Sequence, residues 1–237
     1  MNEDYFINED LFFNNKQLYK VVGSKNIKLN KINWFKYLKE YGWEKINKDW
    51  KEKLESNYVC LLECGSDGDC LFHVICEALN MELIYNYDVP KYDIGSLRIS
   101  CSEQINDDNY YLILESYKAE LESNEFFGDW DPNNIEDKEE LKLEIIKQGN
   151  NFWGDHILMQ LLSLKLEINF VIFSDNMNIN VINNELKYKK TIFIYFLDNL
   201  HFQLLGYFNG RFIETVFLND DMPICFKRIL SNYNNSN

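Results

Sequence analysis

The chain has 237 residues, of which 46% are hydrophobic and 26% are charged. This length suffices for one sizeable hydrophobic core, so we expect one main domain and at most a compact extension. The 24 basic and 38 acidic residues give a formal net charge of −14. Such a charge repels phosphate backbones, which argues against a nucleic-acid partner and favours a basic protein partner.

The sequence predicts a cytoplasmic protein with no membrane partner. No apolar run is long enough to span a bilayer, and the acidic start "MNEDYFINED" lacks the basic and apolar parts of a signal peptide. The cysteines are too scattered for a disulfide scaffold, and they lack a second pair at zinc-binding spacing, so we expect neither a metal nor a cofactor. They are Cys60, Cys64, Cys70, Cys76, Cys101 and Cys225.

Residues 1–56 are predicted to form an N-terminal extension that is partly helical. The stretch "INWFKYLKEYGWEKINKDWKEKLE" places aromatic residues at roughly helical spacing, which indicates an amphipathic helix. We expect this aromatic stripe to pack on the main domain, and an exposed partner surface is the alternative. The catalytic domain is predicted over residues 57–230, and residues 231–237 are predicted to be a disordered tail.

The middle of the chain pairs strands with helices. The extended piece "NYVCLLEC" precedes a turn and an apolar helix that begins at Cys70. Helices are also predicted in "IGSLRISCSEQIN" and "DKEELKLEIIKQGNNF", and a further helix over His156–Lys165 leads into a buried strand over Ile168–Phe173.

The last third is rich in strands. The run "KTIFIYFL" predicts a buried strand, and "HFQLLGYFNGRFIETVF" predicts a hairpin turning at Asn209 and Gly210. A closing helix follows, with Pro223 near its first turn. These elements predict an α+β or layered α/β/α fold, with a central β-sheet between helices.

Cys70 is the candidate nucleophile. A thiol in the first turn of a helix faces unpaired backbone N–H groups, which favour a thiolate. Gly68 permits a turn in which neighbouring amides converge on one point. A sulfur beside such donors is arranged for acyl transfer, because the amides can hold the oxyanion that forms when the sulfur attacks a carbonyl.

The chain has three histidines that could act as the base. His73 lies on the same helix as Cys70 and would project along it, so we interpret it as a packing or surface residue. His156 opens a later helix and is interpreted as a solvated first-turn residue. His201 starts a strand, where it can face a helix N-terminus across a cleft, so it is the best base on geometry.

Four segments in this order resemble the OTU (ovarian tumour) family of cysteine proteases, which are deubiquitinases. The stretch from Asp67 to Phe72 resembles the nucleophile motif, and "SLRISCSEQI" resembles the Leu-Arg helix that follows it. The Trp153-Gly154-Asp155 segment resembles the Trp-Gly motif, and the pair His201-Phe202 resembles the late His-aromatic pair.

The resemblance implies an OTU-like, papain-related fold in which Cys70 is the nucleophile and His201 is the general base and then the general acid. It makes Asp67 the acidic residue of the motif and the backbone of residues 67–70 the oxyanion hole, with Gly68 and Asp69 as candidates. The implied substrates are ubiquitin and polyubiquitin chains, with ubiquitin-like modifiers as further candidates. The implied reaction is isopeptide hydrolysis through a thioester, without metal or cofactor.

The residue that orients His201 is left open by the sequence. The family commonly carries Asn or Asp two residues after the histidine, where this chain has Gln203. The alternatives are Gln203 itself, Asp67 and Asn199, and the charge argument favours Asp67. Asp69 is interpreted as a turn residue, and Arg98 as a structural ion-pair partner.

Two other functions are consistent with the sequence. Because of Gln203, the chain could be a catalytically silent OTU-like module that binds ubiquitin or a related modifier. A remote alternative is a cysteine-dependent acyl transferase on another fold, which a covalent ubiquitin probe would not label.

Overall fold

The computed structural model describes residues 4–65, 67–198 and 200–236. None of the helices in these ranges is long and apolar enough to cross a membrane. The helices are α1 Trp34–Leu38, α2 Lys48–Leu54, α3 Cys70–Tyr85, α4 Ile94–Ser102, α5 Tyr110–Ser123, α6 Lys138–Ile145, α7 His156–Leu166 and α8 Ile224–Ser236. The strands are β1 Tyr5–Phe6, β2 Leu11–Asn14, β3 Gln17–Val22, β4 Lys25–Lys28, β5 Trp43–Lys45, β6 Val59–Leu62, β7 Ile168–Ser174, β8 Ile179–Val181, β9 Lys190–Leu197, β10 His201–Phe208, β11 Ile213–Glu214 and β12 Val216–Leu218.

A mixed central sheet lies between two hydrophobic layers, as predicted. Its strands run in the order β5-β6-β10-β9-β7-β8, with β7 and β9 parallel and the other neighbours antiparallel. Along β9, Ile192 and Ile194 belong to one core cluster, whereas Phe193 and Tyr195 belong to the other. Because successive side chains of a strand point to opposite faces, this alternation buries both faces of the sheet. The predicted α+β class is therefore confirmed.

The N-terminal extension contains more sheet than predicted. Strands β1 to β4 form an antiparallel sheet, and β5 joins the central sheet by pairing with β6. The predicted long helix is interrupted between α1 and α2, because Gly42 takes a left-handed φ of 83° and turns the chain into β5. The aromatic residues do pack on the main domain, as expected: the Trp34 ring stacks on Phe208 with centroids 5.1 Å apart.

The C-terminal third differs from the prediction at two places. The hairpin after β10 has a four-residue loop, residues 209–212, in which the Asn209 side chain accepts hydrogen bonds from the backbone N–H groups of Arg211 and Phe212. The tail predicted to be disordered from residue 231 is helical, because α8 continues to Ser236 and Tyr233 packs against one of the two core clusters. Residue 237 lies outside the described residues.

We expect Trp43→Ala to destabilise the fold by about 3–5 kcal/mol, because it empties a large site in the core. Trp43 is 3% exposed, and a Cβ placed at Gly206 of β10 would lie 2.9 Å from its ring. Urea denaturation would measure the change. Glu44→Ala, on the exposed face of the same strand, is the control and should leave the midpoint nearly unchanged. A Trp43→Ala midpoint equal to that of the control would contradict the prediction.

Candidate active site

Helix α3 and strand β10 bring together the two residues that the sequence selected. Cys70 is the first residue of α3, and His201 is the first residue of β10. The backbone N–H groups of Phe202 and Leu71 point to the Cys70 thiol. The sulfur therefore lies beside the backbone of the residue that follows His201, at the N-terminal end of a helix.

The environment of the Cys70 thiol favours its protonated form. Cys70 is only 2% exposed, and this burial raises the pKa of the thiol. The N–H groups of Phe202 and Leu71 act in the opposite direction, whereas the charges of Glu63 and Asp67 raise the pKa further. The helix N-terminus alone does not supply a thiolate, so the site needs a base.

A carboxylate that the sequence analysis missed holds His201. The Nε2 atom of His201 lies 2.7 Å from both carboxylate oxygens of Glu63, the residue that follows β6. Gln203 donates a hydrogen bond of 3.1 Å to Oε2 of Glu63, and the backbone N–H of Gly65 donates to Oε1 at 3.1 Å. Burial would raise the pKa of Glu63, but these hydrogen bonds and His201 together lower it below its usual value.

Asp67 forms its hydrogen bonds within its own loop. Its carboxylate accepts a 3.0 Å hydrogen bond from the backbone N–H of Asp69, and its carbonyl accepts one of 3.0 Å from the N–H of Cys70. Within the described residues, the His201 ring hydrogen-bonds to the carboxylate of Glu63 and not to that of Asp67. The third alternative, Asn199, lies outside the described residues.

Three of the amides predicted to form the oxyanion hole, those of Gly68, Asp69 and Cys70, donate hydrogen bonds within the protein. The N–H of Gly68 donates to the side-chain oxygen of Asn150 at 3.1 Å, and the N–H groups of Asp69 and Cys70 donate to Asp67. One of these amides could bind the carbonyl oxygen of a substrate only after its present acceptor, Asn150 or Asp67, has been displaced.

Asp69 and Arg98 form a buried ion pair beneath this loop. Arg98 is 0% exposed, and its Nε donates to Asp69 at 2.6 Å. The other guanidinium nitrogens donate to the carbonyls of Ile145 at 2.9 Å and Phe152 at 2.7 Å, while the N–H of Gly149 donates to Asp69. The interpretation of Arg98 as an ion-pair partner is confirmed. Asp69 is more than a turn residue, because it joins the cysteine loop to residues 145–152.

The Trp-Gly segment packs against the same loop. The N–H of Gly154 donates to the carbonyl of Gly68 at 3.2 Å. A Cβ at Gly154 would lie 2.5 Å from Cβ of Leu71, so only glycine permits this approach. Trp153 is half-buried, and its ring centroid lies 5.8 Å from that of Phe127.

The other two histidines stay out of the site, as expected. His73 packs against the backbone of the loop, since a Cβ at Gly65 would lie 2.5 Å from its ring. His156 is exposed at the start of α7. In the part of the chain that the structure describes, no cluster of His, Cys, Asp or Glu side chains could hold a metal ion.

A cavity of about 350 Å³ lies beside the candidate site and shares Phe202 with it. Its lining includes the apolar side chains of Met159, Ile172 and Phe196 as well as the backbone of Gly154. A larger cavity of about 960 Å³ lies between α6 and the segment that contains Trp130, and it contains none of the candidate catalytic residues.

Solved structures of OTU domains are similar to the chain. An OTU domain in complex with ubiquitin is 17% identical over 80% of this chain and 88% of its own, with a TM-score of 0.49. An OTU deubiquitinase from Wolbachia pipientis is 13% identical over 73% and 98%, with a TM-score of 0.43. A viral OTU domain protease from Farallon virus is 13% identical over 89% and 99%, with a TM-score of 0.42. No protein-family model and no curated protein sequence matches the chain.

We expect Asp69→Ala to destabilise the protein by about 3–5 kcal/mol, because it leaves the charge of Arg98 buried without its partner. Urea denaturation of the purified variant would measure this loss. Glu103→Ala breaks the exposed ion pair with Lys165 and is the control, with an expected cost below about 1 kcal/mol. Equal midpoints for the two variants would show that the buried pair does not hold the loop.

Proposed function

We propose that the chain is a cysteine-dependent deubiquitinase that hydrolyses isopeptide bonds at the C-terminal glycine of ubiquitin. The observation that carries this proposal is the approach of Cys70, at the start of α3, to the backbone of Phe202, directly after His201. A thiol, an imidazole held by a carboxylate and nearby backbone amides are the parts that acyl transfer requires.

The proposed reaction begins with proton transfer. As Sγ of Cys70 attacks the carbonyl carbon of the substrate glycine, its proton passes to His201 and a C–S bond forms. The tetrahedral intermediate then collapses, the C–N bond to the substrate lysine breaks, and His201 returns the proton to the leaving amine. Water then attacks the thioester as His201 takes one of its protons, the C–S bond breaks, and His201 returns that proton to Sγ. The products are the free Cys70 thiol and a carboxylic acid, which ionises.

The substrate class rests on the ordered motifs that resemble the OTU family and on charge. Ubiquitin's recognition face is basic around an apolar patch, and the net charge of −14 complements it. Ubiquitin-like modifiers with the same terminal glycine are further candidate substrates. We place the reaction in the cytoplasm, where the six free thiols would stay reduced.

We expect a ubiquitin probe with a C-terminal electrophile to label the wild type once, and Cys70→Ala to abolish labelling without unfolding the protein. Intact mass spectrometry would measure labelling, and circular dichroism would check folding. Cys64→Ala is the matched control and should label like the wild type, because burial raises the pKa of the Cys64 thiol well above its usual value. Labelling that persists in Cys70→Ala would contradict the assignment.

Incubation with ubiquitin chains of each linkage separates the proposed hydrolase from a binding module. Release of monoubiquitin by the wild type and not by Cys70→Ala supports hydrolysis. Binding of ubiquitin without release by either protein identifies a silent module. Absence of both binding and labelling would point to the acyl transferase alternative.

A further inference from the structure

We propose that Glu63, held by Gln203, is the positioning residue that fixes the imidazole of His201 for proton transfer. The inference rests on the proposed function in that it names the residue on which the base depends. Glu63 thus takes the role for which the charge argument favoured Asp67. Gln203 acts on the imidazole through Glu63 and not by direct contact.

The register of β6 and β10 explains why Glu63 lies beside His201, although the two residues are far apart in the sequence. Leu204 of β10 pairs with Leu62 of β6, so the next residues, Gln203 and Glu63, come to lie opposite each other. Directly opposite side chains in an antiparallel pair point to the same face, and His201 shares that face because it lies two residues from Gln203. Glu63 therefore lies within reach of both.

The hydrogen bonds fix the tautomer of His201. An ionised carboxylate only accepts hydrogen bonds, so Nε2 of His201, 2.7 Å from both oxygens of Glu63, must carry a proton. In the neutral ring, Nδ1 then keeps its lone pair and is the nitrogen that can accept the proton of Cys70. When the ring becomes charged during the reaction, Glu63 also stabilises the imidazolium.

Gln203 supports this arrangement indirectly, because its side chain hydrogen-bonds to Glu63 and not to the imidazole. Its amide nitrogen donates to Oε2 of Glu63, while the backbone N–H of Gly65 donates to Oε1. Each carboxylate oxygen thus has a second donor besides His201. Since Glu63 is half exposed and not confined by packing, these two donors restrict its rotation.

The test compares Glu63→Gln with Glu44→Gln, which removes the same charge from the exposed face of neighbouring β5. On ubiquitin with a C-terminal fluorophore, Glu63→Gln should lower kcat about 100-fold with little change in KM, because proton transfer contributes about 10²–10⁴-fold in such sites. Glu44→Gln should leave kcat within about twofold. The double variant Glu63→Gln/Gln203→Glu, which moves the carboxylate to the opposite strand, should regain about 10-fold.

Two measurements are independent of ubiquitin. Nitrogen NMR of the three histidines should show the His201 ring protonated at Nε2 in the wild type and a tautomer mixture in Glu63→Gln. Alkylation of Cys70 by iodoacetamide should slow in Glu63→Gln and not in Glu44→Gln. If the wild type fails to cleave ubiquitin, the proposed function fails while these measurements still decide the role of Glu63. An unchanged tautomer, or equal alkylation of both variants, overturns the inference.

Discussion

The buried ion pair between Asp69 and Arg98 is the interaction on which the candidate site depends. It joins the residue before Cys70 to α4, and through the carbonyls of Ile145 and Phe152 to the end of α6 and the segment that follows it. A charge pair buried this deeply is costly unless every donor and acceptor is satisfied, and here Arg98 uses all three of its nitrogens. The cysteine loop is therefore held in place by its contacts with α4 and with residues 145–152.

Opposing interactions act on the protonation of the Cys70 thiol at the end of this loop. Burial and the acidic neighbours favour the neutral sulfur, whereas the helix start and the N–H of Phe202 favour the anion. A cysteine in this balance is protected from adventitious oxidation in the free protein, because the thiolate is the reactive form. Under the proposed function its reactivity depends on His201, whose ring hydrogen-bonds to the carboxylate of Glu63, the residue after β6.

Sequence patterns could select Cys70 and His201 as candidates because both selections depend on local signals. The turn before Cys70 and the apolar helix after it are contiguous, and the strand that begins at His201 is strongly apolar. Glu63 gives no such signal, because its proximity to His201 follows from the pairing register of β6 with β10 and is visible only once the two strands are aligned. Pairing between distant strands is what single-sequence patterns specify least.

The same limit applies to the N-terminal extension and to Asp69. The aromatic spacing of residues 32–55 fits a helix until the left-handed Gly42 diverts the chain into the central sheet. The side chain of Asp69 meets an arginine 29 residues further on, which no turn propensity could indicate. The family-like motifs indicated the candidate site, whereas the contacts that organise it are visible only in the tertiary structure.

The hydrogen bond between Gly68 and Asn150 has a consequence for inhibition. Under the proposed function the amide of Gly68 is a candidate to hold the substrate's carbonyl oxygen, and the side-chain oxygen of Asn150 accepts a hydrogen bond from it. Any ligand that binds this amide must displace the side chain of Asn150. Its apparent affinity is therefore its intrinsic affinity multiplied by the fraction of molecules in which Asn150 has withdrawn. For a reversible carbonyl compound, this loss lowers the apparent affinity at equilibrium. For a covalent inhibitor, it slows only the formation of the bond, so the potency should increase with incubation time.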